Sequence, residues 1–136
     1  MDHRILVVED SPELLTIWRS LFDLTTSYDI RYCESYQEAR AILANGFRPE
    51  LILTDYYLGD GNGLEIFSES IRIESRPHCI VVTGKSVDAA EFKELKYRDC
   101  TFIQKPVKFP DLAEQVSRYF SQEKGPSEAL CETHSY

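Results

Sequence analysis

Three carboxylates in this chain stand where apolar runs stop. Glu9 and Asp10 follow RILVV (Arg4 to Val8), and Asp55 follows LILT (Leu51 to Thr54). Acids gathered in one small volume repel one another strongly unless compensated. A hard divalent cation with oxygen ligands is the natural compensation. Mg2+ suits best, because it keeps several waters and needs only one or two direct carboxylates. Any one of these acids could instead cap a helix N-terminus, but three at the ends of adjacent strands are poorly explained that way. Thr83-Gly84 follows CIVV (Cys79 to Val82), and Lys105-Pro106 comes just after TFI (Thr101 to Ile103). The Lys105–Pro106 bond, being X-Pro, is a candidate for the cis form. A nucleophilic carboxylate, a metal, an ammonium and a hydroxyl donor together are the parts that phosphoryl transfer requires.

These residues meet only if every strand runs the same way, so the segments between them must be crossovers. Arg4 to Val8 and Leu51 to Thr54 read as strands buried on both faces. Ile30 to Cys33, Cys79 to Val82 and Thr101 to Ile103 complete a set of five. Between the first two, Leu14, Leu15, Trp18, Leu21 and Phe22 recur at helical spacing through Thr25, behind Ser11 as N-cap and Pro12 in the first turn. Ser35 with Glu38 predicts a capping box for a second helix, with Ala39, Ile42 and Leu43 inward and Asn45-Gly46 as its stop. Leu64, Ile66, Phe67 and Ile71 mark a third helix, ended by Pro77, and Ser86 caps a short fourth. The fifth runs from Pro110 to about Phe120, with Leu112, Val116 and Phe120 inward.

Strict alternation of strand and helix predicts an α/β fold: a doubly wound five-stranded parallel sheet with five helices. The expected strand order is flavodoxin-like, 2-1-3-4-5, with ligands beyond the carboxyl ends where strands 1 and 3 diverge. The predicted domain covers residues 3–121. Residues 122–136 are polar without apolar period and read as a tail or the start of a linker.

A length of 136 residues suits one core rather than two. With 15 basic and 23 acidic residues the net charge is −8, which disfavours direct contact with nucleic-acid phosphates. The four cysteines, Cys33, Cys79, Cys100 and Cys131, contain no C-x-x-C pair, and the first three fall in strand-like runs where thiols act as small hydrophobes. No apolar stretch approaches the ~20 residues of a membrane helix, and no leader is evident. The expectation is a cytoplasmic, reducing setting with no membrane insertion.

The set Glu9-Asp10, Asp55, Thr83 and Lys105-Pro106, each at its own strand end, resembles the receiver domain of two-component response regulators. That resemblance spans roughly residues 3 to 121. It implies that Asp55 accepts a phosphoryl group from a histidine kinase or histidine phosphotransferase. It further implies that Asp10, Asp55 and the Tyr57 backbone carbonyl hold Mg2+ or the similar Mn2+, with Glu9 acting through water. Lys105 would contact the acyl phosphate, Thr83 would move toward it, and Phe102 would be the aromatic switch residue. The output would be a downstream protein reached through the face of helix 4, strand 5 and helix 5, a face also open to homodimer formation. The domain would be no enzyme in its own right, beyond assisting its own phosphorylation and dephosphorylation.

The loop DYYLGDGNG matches the family pattern at Asp55, Leu58 and Gly63, but has Gly59 where Pro is common, which leaves loop rigidity open. Tyr57 and Lys85 occupy the positions that tune phosphate lifetime in the family. A flavodoxin would want an amide-rich, acid-poor loop after strand 1. An aspartyl-phosphate hydrolase would want a second Asp where Tyr57 stands. A phosphorylation-independent interaction domain, or the receiver of a larger regulator or hybrid kinase, are the remaining alternatives.

Overall fold

The computed structural model describes residues 3–25, 27–73, 75–84 and 99–122. The chain divides into two compact units, Met1–Pro106 and Val107–Tyr136. The first holds β1 (Arg4–Val8), α1 (Pro12–Thr25), β2 (Asp29–Cys33), α2 (Tyr36–Ala44), β3 (Leu51–Asp55), α3 (Gly63–Arg72), β4 (His78–Thr83) and β5 (Cys100–Gln104). The second holds α4 (Phe109–Gln122), on which Leu112, Val116 and Phe120 are buried. Four helices therefore stand among the described residues where five are expected. The helix expected behind Ser86, and Lys85 with it, lies outside them.

All strand pairs are parallel, in the order β2-β1-β3-β4-β5. The carboxyl ends of β1 and β3 are thus adjacent, with Val8 opposite Thr54 in register. Glu9 and Asp55 follow directly at those ends. β1 and β3 are buried along almost their whole length, as their unbroken apolar runs require. Side chains alternate between the faces. Leu6, Val8, Ile52, Cys79 and Val81 form one cluster with Ala39 and Leu43 of α2 and Leu64, Ile66 and Phe67 of α3. Right-handed crossovers send α1 to the opposite face, where Leu15, Trp18 and Phe22 are buried.

Local signals set most boundaries. Ser11 Oγ accepts from the Leu14 backbone N–H at 3.3 Å, capping α1. Ser35 accepts from Glu38 N–H at 3.0 Å, but the Glu38 carboxylate takes the Glu34 N–H at 2.8 Å rather than that of Ser35, so the expected box is only half formed. The complete box sits at α3, where Asn62 and Glu65 satisfy each other's backbone N–H groups. Ile71, expected on the apolar face of α3, is 38% exposed. Its position near the end of the helix carries it past the edge of the cluster that Ile66 and Phe67 join. Among the described residues no helix is long and apolar enough to cross a membrane.

Candidate functional site

The carboxyl edge of the sheet gathers the acids as their strand ends dictate. Carboxylate oxygens of Glu9, Asp10 and Asp55 lie within 4.8 Å of one another. Glu9 and Asp55 are buried, at 5% and 6% exposure, while Asp10 is open to solvent. Glu9 is held by its backbone N–H, which donates to Cys33 O at 3.0 Å, and by a carboxylate oxygen that accepts from the Ser11 N–H at 3.2 Å.

Burial, the hydrogen bond with Asp55 and the Asp55 charge push the Glu9 carboxyl up to about 8. Burial also raises Asp55, although the hydrogen bond from Glu9 and the Lys105 ammonium pull the other way. Lys105 Nζ stands 3.7 Å from Asp55 Oδ1, with its own side chain half exposed. The pocket thus holds a proton on Glu9 where charge would otherwise be uncompensated. Its all-oxygen donor set, two buried acids and one exposed, matches what a hard divalent cation requires. The residues fit such an ion.

Thr83 ends β4 and is fully buried. Its carbonyl accepts the Lys105 backbone N–H at 2.8 Å, which ties the Lys105 turn to the β4 end, and the Lys105–Pro106 bond is cis. Phe102 lies opposite Val81 in register and packs, half buried, against the α2–α3 face of the core. Tyr57 is 64% exposed, its ring edge-on to Tyr56 at 5.0 Å between centroids. Glu9, Asp10, Asp55 and Lys105 are therefore together, Thr83 lies at the next strand end, and Phe102 stands within β5.

The loop from Asp55 into α3 carries features that spacing alone does not expose. Gly63 N–H donates to Tyr56 O at 2.9 Å. A Cβ on Gly63 would meet Asp55 O at 2.5 Å and Thr54 Cγ2 at 2.6 Å, so only glycine lets α3 start this close to β3. Asp60, in a sequence that reads as a plain turn, accepts the Tyr36 and Gln37 backbone N–H groups at 2.9 and 3.1 Å. Those two bonds pull its carboxyl below the ordinary range.

Comparison with known proteins follows the same lines. The family model for the response regulator receiver domain matches residues 5–117. The response regulator protein PilR of Pseudomonas aeruginosa is 32% identical over 119 residues, covering 84% of this chain and 25% of PilR. The transcriptional regulatory protein MalR of Bacillus subtilis is 26% identical over 121 residues, covering 88% of this chain and 51% of MalR. The chain thus spans between a quarter and about half of these curated relatives. Among solved structures, a CheY-like receiver domain protein of Methanospirillum hungatei superposes with a TM-score of 0.75 at 24% identity, covering 91% of this chain and 98% of that one.

Proposed function

Because this chain belongs to the response regulator receiver domain family, we propose that it is a phosphoryl-accepting switch in which Asp55 is the acceptor. The observation that carries this reading is a buried Asp55 carboxylate 3.7 Å from the Lys105 ammonium and grouped with Glu9 and Asp10. An Asp55 oxygen forms the new bond to phosphorus as the bond from phosphorus to the donor's imidazole nitrogen breaks, the electron pair staying on the imidazole. Asp10 and Asp55, with the Tyr57 backbone carbonyl, would hold Mg2+, and Glu9 would act through water. When bound, the ion supplies positive charge to the transferring phosphoryl oxygens. Lys105 would add positive charge to the same group, and its attraction favours the ionised form of Asp55 that attacks.

The donor is a histidine kinase or a histidine phosphotransferase. A phosphoryl group on Asp55 brings anionic oxygens that seek donors, and the Thr83 hydroxyl and Lys105 would supply them. Movement of Thr83 would vacate space on the face that Phe102 shares with Val81, and the ring would follow. The changed surface around β5 would address a downstream protein. The curated relatives carry such a stretch as a quarter to a half of longer proteins, which supports a second reading as the receiving module of a larger regulator.

Incubation with acetyl phosphate and Mg2+ should add one phosphoryl group by intact mass, labile to hydroxylamine. Asp55→Asn should abolish the addition. Undiminished labelling in that variant would move the acceptor elsewhere.

A further inference from the structure

The first turn of α2 leaves backbone N–H groups without partners inside the helix. Ser35 takes that of Glu38. Those of Tyr36 and Gln37 go to Asp60, one carboxylate oxygen each, from 24 and 23 residues away. α2 already has Ser35, and water could serve its two exposed amides. The loop has less to spare. Leu58, 3% exposed, anchors one side and the Asn62–Glu65 box the other. Between them stand Gly59, at φ +82°, then Asp60 and Gly61. Neither glycine has a side chain to hold it, and Gly59 lacks the stiffness that Pro would bring. Asp60 is the side chain that ties this stretch down.

What it grips is itself tied to α3. Gly61 lies against the Tyr36 ring so closely that a Cβ would stand 2.8 Å from Tyr36 Cγ. The Tyr36 hydroxyl donates to Glu69 of α3 at 3.2 Å, and Glu69 also faces Arg40 and Arg72 at 3.8 and 3.4 Å. The loop also runs beside the acids, since a Cβ on Gly59 would stand 4.0 Å from Asp10 Oδ2.

We propose that Asp60 is a positioning residue: by gripping the N-terminus of α2 it holds the loop after Asp55 in the conformation that the acidic pocket needs to bind Mg2+. The inference rests on the reading of Glu9, Asp10 and Asp55 as a cation site. Without the clamp, ordering the loop would be charged against metal binding.

The test compares Asp60→Ala, Asp60→Asn and Ser35→Ala with the unmodified chain. Ser35→Ala removes the other cap from the same helix end and so lowers stability without touching the loop. Mg2+ affinity is read by calorimetry well below the melting temperature, and amide exchange of Leu58 and Asp60, which donate to Gly61 O and Leu58 O, is read in EDTA. Asp60→Ala should weaken Mg2+ about 5–10-fold, the scale of one or two freed residues, and speed exchange at both amides. Asp60→Asn keeps one accepting oxygen and should fall between. Ser35→Ala should stay within about twofold of the unmodified chain. Equal weakening in Asp60→Ala and Ser35→Ala would reduce Asp60 to a helix cap and overturn the proposal, as would unchanged exchange in Asp60→Ala. An unmodified chain that binds no Mg2+ would overturn the cation reading itself, while the exchange experiment would still report on the clamp.

Discussion

Raising the pH from 6.5 to 8.5 in EDTA should destabilise this protein, and Glu9 is the reason. Its carboxyl, ordinarily near 4.5, is pushed up to about 8 by burial and by Asp55. In the unfolded chain Glu9 is already ionised at pH 6.5, whereas in the folded chain it still holds its proton. The folded state therefore binds more protons across this window. Its advantage is complete below the ordinary value and is lost as pH rises through about 8. Burial raises Asp55 in the same direction. Starting at pH 6.5 keeps clear of Asp60, which is lowered, while His78, whose burial lowers it from 6.5, is still half protonated in the unfolded chain there and offsets a small part of the loss at the start of the window.

One proton over this range amounts to about 2 kcal/mol at most. Water reaching the pocket past exposed Asp10 brings the expected loss nearer 1 kcal/mol. At this chain length that is about 4 °C in Tm. Glu9→Gln cannot ionise, so its Tm should vary much less over the same range. Mg2+ favours the deprotonated pocket, so its gain in Tm should grow with pH and largely offset the loss in the unmodified chain. Calorimetric melts at five pH values, with EDTA or Mg2+, suffice. A Tm in EDTA constant to about 1 °C, or a Glu9→Gln slope equal to that of the unmodified chain, would refute the assignment of the proton to Glu9.

Two further outcomes follow from the geometry. Gly63→Ala places a methyl 2.5 Å from Asp55 O and 2.6 Å from Thr54 Cγ2, so urea unfolding should show a loss of about 2–3 kcal/mol and phosphorylation should slow as β3 and α3 are forced apart. Phosphorylated protein should show NMR shift changes at Phe102 and along β5, reduced in Thr83→Ala; changes confined to residues touching Asp55 would mean that phosphate is held without switching that face.

Much of this molecule was legible in its sequence because the relevant information is local. A strand buried on both faces must be a continuous apolar run, so RILVV and LILT announced β1 and β3. The first polar residues after such runs must emerge at the sheet's edge, which places Glu9, Asp10 and Asp55. Parallel, right-handed connection then brings β1 and β3 side by side, as the register of Val8 with Thr54 shows. Ser11 and Ser35 acted as helix signals because capping depends on neighbours a few residues away, whereas α3 ends at Arg72, well before the Pro77 expected to break it.

Tertiary structure decided whatever depends on partners distant along the chain. The sequence marked Glu9 as one of three acids at strand ends, but only burial beside Asp55 raises its proton affinity, because desolvation is a property of the assembled pocket. Glu38 could have closed a box on Ser35, and it reaches Glu34 instead, since a flexible carboxylate chooses among amides within reach. Gly63 matched a pattern, but its necessity appears only as the 2.5 Å approach to Asp55 O. Asp60 looked like half of a turn. Its role as the anchor of the loop after Asp55 arises because folding carries the start of α2 alongside, and no pattern of neighbours encodes a hydrogen bond across 24 residues.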